Sequence, residues 1–160
     1  MFIGRHTNKI DKKGRVSVPK PFRDALAGTS TFGVYVFPSF KFPALEAAGE
    51  DFIKRFVDSL DDLDLFSDAQ DDLAATVLAN AHALAYDPEG RIILPKVLLD
   101  HAQLTDEAVF VGRGSRFQIW APTAFESHNA HAFERARARG ATLALRRQDN
   151  KQGAGTDSHE

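Results

Sequence analysis

The sequence contains one motif twice, and this internal repeat limits what the chain can fold into. Residues 10–20 read Ile-Asp-Lys-Lys-Gly-Arg-Val-Ser-Val-Pro-Lys, and residues 86–96 read Tyr-Asp-Pro-Glu-Gly-Arg-Ile-Ile-Leu-Pro-Lys. The matched positions have the same chemistry in the same order, so a supersecondary unit recurs rather than a composition bias. Two copies within 160 residues predict one domain made of two interlocked, pseudo-two-fold halves.

Each copy of the motif predicts a strand, a tight turn, a second strand and a short helix. Gly14 and Gly90 suit a turn that needs a positive φ, and Asp11 and Asp87 can brace such turns by accepting backbone N–H bonds. The apolar runs that follow each turn stop at a proline, which favours the first turn of a helix. These helices are predicted at 19–26 and 95–102.

The two halves remain parallel further along the chain. Residues 32–38 match residues 116–122 in kind, because both are apolar strands that end near a proline. The glycine-bearing stretch 112–115 predicts a hairpin turn after a strand at 108–111, whereas the strand before Phe32 is only weakly indicated. Each half is therefore predicted as β, β, short α, β, β, α.

Helical spacing of apolar residues marks the end of each half. An amphipathic helix of about four turns is predicted in the first half. Its apolar face holds Leu45, Ala48, Phe52, Ile53, Phe56, Val57 and Leu60. Phe125 and Phe133 predict a shorter helix in the second half, and Ser67 is predicted to cap an extra helix with an acidic first turn.

These patterns divide the chain into three parts. The first repeat is assigned to residues 1–75 and includes an acidic helical segment at 44–75. The second repeat is assigned to 76–147. Residues 148–160 are polar and contain glycine without periodicity, which predicts a disordered tail.

Composition excludes several classes of function. The chain has no cysteine, so disulfides and thiolate chemistry are excluded, and no stretch approaches the about 20 apolar residues that span a bilayer. We expect a soluble cytoplasmic protein with no membrane partner. No nucleophile elbow or P-loop accompanies the six histidines, and the pair His128 and His131 lacks placed carboxylates. We therefore expect no enzyme activity, cofactor, metal site or small-molecule substrate, and we place Trp120 in the core.

Charge is segregated along the chain although its net value is only −2. Residues 1–23 hold seven Lys and Arg against one Asp, whereas residues 44–75 hold ten Asp and Glu against two cations. Lys12 and Lys13 of the first turn become Pro88 and Glu89 in the second. A positive field that would attract phosphate is therefore expected at the first turn and not at the second.

The motifs together resemble those of the MraZ family. The resemblance rests on the opening residues 5–19, on the second repeat 87–95 and on the stretch 112–120, and it covers about residues 1–138. MraZ proteins are bacterial regulators with two Asp-x-x-x-Arg repeats, related to the AbrB-type swapped-hairpin DNA binders. The resemblance implies an α+β fold, an interlocked double β-hairpin (double-split) barrel with flanking helices. It further implies closed rings of roughly eight or more subunits that bind repeated promoter boxes of the division and cell wall gene cluster.

The resemblance implies that the protein acts on double-stranded DNA at the nucleoid. It also indicates which residues of this sequence contact the DNA. The two family pairs fall on Asp11 with Arg15 and on Asp87 with Arg91. The implied DNA-binding residues lie on the N-terminal hairpin: Arg5, His6, Lys9, Lys12, Lys13, Gly14 and Arg15. Arginine reads guanine in a bidentate way whereas lysine mainly offers a charge to phosphate, so base reading would fall to Arg15 or Arg5.

Other interpretations stay open from the residues alone. Both Asp–Arg pairs can simply brace their turns, and the lysines can form a solvated surface. A protein-only ring scaffold would use the same fold without DNA. An antitoxin-like AbrB-type DNA binder is also compatible, although such dimers supply one motif per subunit and this chain carries two.

Overall fold

The chain folds as a mixed α+β protein built on a mostly antiparallel sheet, as the sequence predicts. A computed structural model describes residues 1–148, so the predicted tail lies outside the described residues except for Gln148. The first half contains β1 (Arg5–Lys9), β2 (Arg15–Ser17), α1 (Lys20–Ala27), β3 (Gly33–Pro38), β4 (Ala44–Ala48) and α2 (Glu50–Asp61). Helix α3 (Asp68–Leu73) and a π-helical turn (Ala74–Leu78) follow. The second half contains β5 (His82–Ala85), β6 (Arg91–Ile93), α4 (Lys96–His101), β7 (Glu107–Gly112), β8 (Phe117–Trp120) and α5 (Pro122–Arg139).

The two halves exchange strands. The larger sheet has the order β1-β7-β8-β4-β3-β5, and β2 pairs with β6 in a separate antiparallel ladder. The first strand of each half therefore pairs with a strand of the other half: β1 pairs with β7, and β5 pairs with β3. Read from either end, the strand order is equivalent, so a pseudo-two-fold axis passes between β4 and β8. The same axis crosses the small ladder, where Val16 lies opposite Ile92.

One continuous apolar core lies between the two sheets and beneath the short helices. Val16 and Ile92 are 1% exposed, and the helices α1 and α4 bury Phe22 and Leu98 against them. Both predicted helices are present, but each begins one residue after the proline at which it was predicted to start. Trp120 is also buried, in a second cluster under α5, which confirms its expected place in the core.

The long helix predicted across residues 45–60 is wrong in its first part. Residues Ala44–Ala48 form β4, and the helix α2 begins only at Glu50. Alanine, leucine and glutamate favour helices, but β4 lies between β3 and β8 and is buried on both faces. Tertiary packing therefore outweighs local propensity. The strand at 33–38 is consequently the counterpart of β7 rather than of β8.

The helix around Phe125 and Phe133 is longer than predicted. Helix α5 spans 18 residues and ends at Arg139, and Gly140 caps it with a φ of 58°. Only Phe125 is buried in it, and every residue from Phe133 to Arg139 is exposed. The predicted cap of α3 is confirmed, because Ser67 Oγ accepts a hydrogen bond from the Gln70 backbone N–H at 3.2 Å.

A polar network lies on the outer face of the central strand pair. Glu46 of β4 is 8% exposed, and its two carboxylate oxygens accept bonds from Gln118 Nε2 at 2.8 Å and from Arg116 Nε at 2.9 Å. Gln118 Oε1 accepts in turn from Trp120 Nε1 at 2.9 Å. The buried bond between Glu46 and Gln118 crosses the pseudo-two-fold axis and supports the pairing of β4 with β8.

We expect Glu46→Ala to lower the free energy of unfolding by about 3 kcal/mol, because it leaves a buried amide and a guanidinium without their acceptor. Urea denaturation followed by circular dichroism measures the loss. Glu134→Ala on the exposed end of α5 is the matched control and should change stability by less than about 0.5 kcal/mol. Equal urea midpoints for the two variants would contradict a structural role for the network.

Candidate nucleic-acid interface

The first turn, residues 11–15, is held by one aspartate and one glycine. Asp11 Oδ1 accepts the backbone N–H groups of Lys13 and Arg15, both at 2.9 Å, and Asp11 Oδ2 accepts Arg15 Nε at 2.6 Å. Gly14 has a φ of +81°, and a Cβ there would lie 2.8 Å from the carbonyl oxygen of Leu94. The hydrogen bonds to Asp11 therefore fix the backbone of the turn. The side chains of Lys12 and Lys13 are exposed at its tip.

The second turn, residues 87–91, repeats this geometry with a different charge. Asp87 Oδ1 accepts the N–H groups of Glu89 and Arg91 at 2.9 Å, and Oδ2 accepts Arg91 Nε at 2.8 Å. Here, however, Arg91 also forms an ion pair with Glu89 at 2.8 Å. The guanidinium is thus neutralised by two carboxylates, and the tip carries no lysine. The two turns are alike as scaffolds and opposite in their suitability for an anion.

Hydrogen bonding keeps both turn carboxylates ionised. The backbone N–H of Arg15 is the largest influence that lowers the pKa of Asp11, against an opposing effect of burial, and the Arg15 side chain adds to the lowering. The N–H of Arg91 lowers the pKa of Asp87 in the same way. Each turn therefore retains its brace at neutral pH.

We expect the loss of stability at acid pH to depend on the carboxyl groups of Asp11 and Asp87. Because their folded-state pKa values lie below the unfolded aspartate value of about 3.9, their contribution is fully present above about pH 4 and is lost as the pH falls through the lowered values. Asp11→Asn should therefore flatten the decline of Tm below pH 4. Asp87→Asn is its matched counterpart, and the double variant should flatten the decline further. An unchanged slope in the double variant would contradict the assignment.

Strand β1 distributes the remaining predicted contacts over two faces. His6 and Asn8 lie on the half-buried face of β1. The His6 ring meets Phe22 of α1 edge-on at 5.4 Å, and Asn8 Nδ2 donates to the Ser17 carbonyl at 2.7 Å. Arg5 lies on the other face, 3.4 Å from Glu126 Oε1 and with its guanidinium 5.4 Å from the ring of Phe125. His6 and Arg5 are therefore engaged in contacts within the chain, away from the tip of the turn.

Two further cations of the basic residues 1–23 also contact other parts of the chain rather than the first turn. Lys20 pairs with Asp24 at 2.9 Å on the exposed side of α1. Arg23 packs against the second turn, where a Cβ on Gly90 would collide with its guanidinium. The equivalent position in the other repeat makes the reciprocal contact. Leu99, the counterpart of Arg23 in α4, packs against Gly14 of the first turn, so each short helix contacts the turn of the other half.

The structure thus brings four of the seven predicted DNA-contacting residues into one turn: Lys12, Lys13, Gly14 and Arg15. Lys9 is exposed at the end of β1, just before this turn. Lys9, Lys12 and Lys13 form no ion pair with any residue in 1–148. An exposed basic hairpin of this kind, on an otherwise acidic chain, is suited to a polyanion.

Two classes of site are not found within the described part of the chain. No helix there is both long and apolar enough to cross a membrane. No group of three His, Asp or Glu side chains within residues 1–148 could hold a metal ion.

A braced basic hairpin on an antiparallel α+β scaffold has the features of a nucleic-acid-binding regulatory protein. Comparison with known proteins agrees with that class. The chain is 44% identical over 156 residues to a protein of Gluconacetobacter diazotrophicus named transcriptional regulator MraZ, covering 96% of both chains. It is 42% identical over 143 residues to the protein of the same name from Pelagibacter ubique, covering 89% of this chain and 92% of the relative.

A third relative of that name, from Parvibaculum lavamentivorans, is 44% identical over 137 residues and is covered to 84%, as is this chain. A family model described as MraZ protein and antitoxin-like matches residues 77–147. The chain belongs to the MraZ family. Its relatives are named as regulators of transcription, which is not a class of enzymes.

Proposed function

We propose that this protein is a sequence-specific regulator of transcription that works in the cytoplasm on the nucleoid and contacts double-stranded DNA with its first turn. The observation that carries the proposal is the contrast between the two turns. Both have the same Asp-and-Gly scaffold, but only the first presents lysines without a carboxylate partner among the described residues. Because both turns share the scaffold but only the first turn has the exposed positive charge, a binding role is favoured for the first turn.

The proposed contacts divide by side-chain chemistry. Lys12 and Lys13 supply point charges for phosphates, with Lys9 beside them. Arg15 is bound to Asp11 through Nε, and its terminal nitrogens make no hydrogen bond with residues 1–148. A guanidinium held at one nitrogen and free at the other two is oriented for a bidentate contact with guanine. Arg15, rather than Arg5, is therefore the proposed base reader, and Gly14 sets the backbone that presents it.

We further propose the assembly that the family resemblance implies. The exchanged strands support an interlocked double-hairpin barrel with halves at 1–75 and 76–147. Roughly eight or more such subunits would form a closed ring, which engages repeated boxes in the promoter of the division and cell wall cluster. One small basic turn suffices in such a ring, because successive subunits raise the effective concentration for one another. The proposal includes no cofactor or small-molecule substrate.

Fluorescence anisotropy tests this function directly. The purified protein is titrated into labelled DNA from upstream of its own gene and into a scrambled duplex of equal length, at several salt concentrations. We expect a preference for the native duplex, and an affinity that falls with log[salt] with a slope of about −0.9 per phosphate contacted. Equal affinity for both duplexes at low and moderate salt would reject the regulator and favour the protein-only scaffold.

A further inference from the structure

A basic groove lies far along the chain from the first turn, between α5 and the loop joining β3 to β4. It encloses about 540 Å³. Its cationic lining comes from Lys41, Arg135 and Arg139, and its aromatic wall comes from Phe42 and His128 over the buried Trp120. No Asp or Glu within residues 1–148 lines this groove.

The groove carries a positive field. His128 stacks on Trp120 with ring centroids 4.5 Å apart, and burial is the main cause that lowers its pKa. The charges of Arg113, Arg135 and Lys41 lower it further. Cations from both sides of the groove therefore act on the same point, which favours an anionic occupant over a neutral one.

An acidic loop elsewhere on the chain has the complementary character. Residues 61–68 read Asp-Asp-Leu-Asp-Leu-Phe-Ser-Asp and join α2 to α3. Within it Phe66 is 94% exposed and Leu65 is 70% exposed, so neither side chain is buried against its own subunit. Exposed large apolar residues next to each other form a contiguous patch of the kind that marks interaction surfaces.

The end of α5 beside the groove also lacks support from its own chain. All seven residues from Phe133 to Arg139 are exposed, and the Phe133 side chain is 60% exposed. A short helical extension whose residues are all exposed has little packing to stabilise it in water. Contact with another molecule along this side of the groove would supply the missing packing.

We propose that the acidic loop of a second copy of this chain binds in the basic groove. Its aspartates then face Lys41, Arg135 and Arg139, and Leu65 and Phe66 pack on the Phe42 and His128 wall. Because loop and groove are different surfaces of one subunit, the contact is head-to-tail and each copy both gives and receives a loop. The inference rests on the ring assembly of the proposed function and identifies the surfaces that would build it.

Charge reversal on each side of this contact provides the test. Asp64→Arg places a cation in the loop, and Arg135→Glu places an acid in the groove. Both positions are exposed, so the fold should be kept, which circular dichroism verifies. Light scattering coupled to size exclusion should show that each single variant has less than half the mass of the wild-type assembly. Lys54→Glu, an equal charge change on α2, is the control and should keep the wild-type mass.

Mixing the two variants in equal amounts gives the decisive result. The loop of Asp64→Arg matches the groove of Arg135→Glu, and the unchanged loop of the latter matches the unchanged groove of the former. We expect the mixture, but neither component, to regain the wild-type mass. Retention of that mass by either single variant, a monomeric wild type, or a mixture as dissociated as its components would overturn the proposal.

DNA binding separates a failure of this interface from a failure of the regulator. Both variants keep the first turn, so they should still prefer the native duplex, with an affinity lowered by the loss of multivalency. If the wild-type assembly forms through this contact and yet shows no preference between duplexes, the proposed function fails and the interface stands. If the preference exists and the variants assemble normally, the interface fails alone.

Discussion

Replacing Lys12 and Lys13 together by alanine is expected to weaken binding to the native promoter DNA by about 100-fold at roughly 0.15 M salt. Both side chains are exposed and form no ion pair with residues 1–148, so their loss removes charge without removing a structural contact. Each lysine lost should also reduce the steepness of the salt dependence by about 0.9 for every subunit engaged. Anisotropy titrations at several salt concentrations measure both effects.

The control for this experiment is Lys54→Ala, which removes an exposed cation on α2 and should leave the affinity nearly unchanged. Light scattering must show the same mass for all variants, so that lost assembly is not mistaken for lost contact. Arg15→Ala is less informative by itself, because Arg15 also braces the turn through Asp11 at 2.6 Å. An unaltered affinity of the double lysine variant, with assembly intact, would reject the first turn as the DNA contact.

Gly33→Ala is expected to cause the largest loss of stability of any single methyl addition discussed here, more than about 3 kcal/mol. Gly33 opens β3 at a φ of +157°, where its backbone pairs with Ala85 of β5. A Cβ there would collide with the carbonyl oxygen of Leu84 and lie 3.0 Å from the Cα of Ala85. The methyl group would therefore separate β5 from β3, one of the four strand pairings that join the two halves. Thermal unfolding should show a Tm lower by about 10 °C.

Gly114→Ala separates the steric effect from backbone strain. Gly114 has a φ of +79°, but no atom lies within 4 Å of a Cβ built there. Its substitution should cost only about 1 kcal/mol. Similar Tm losses for the two variants would show that the close approach at β5 carries little of the stability.

The repeat predicts much of the architecture because it recurs at the level of a folded unit. Two copies of one hairpin motif require equivalent surroundings, and the palindromic strand order provides them. The strand β4 escaped prediction for the opposite reason. Its sequence, Ala-Leu-Glu-Ala-Ala, has a helical propensity, and its pairing with β8 joins residues 70 to 76 positions apart. No window along the chain contains that information.

The candidate site was predictable where its geometry is local. Asp11, Gly14 and Arg15 lie within five residues, and turn chemistry alone places them together. His6 and Arg5 were expected beside them because they lie on the same hairpin, but alternation along β1 sends His6 towards Phe22 and Arg5 towards Glu126. Their partners belong to α1 and α5. Which face of a strand meets which helix depends on the whole fold, so a count of charges along the sequence does not locate the basic surface.

The pairing of β1 with β7 also means that β1 cannot complete its hydrogen bonding until most of the chain has been synthesised. Thr7 of β1 is synthesised about a hundred residues before its partner Val109. At about 5–20 residues per second, the edge of β1 waits several seconds on the ribosome before β7 can pair with it. Nascent chains on one polysome carry the same unpaired edge during that interval. Until the second half of the chain has emerged, this edge is therefore available for pairing with another chain.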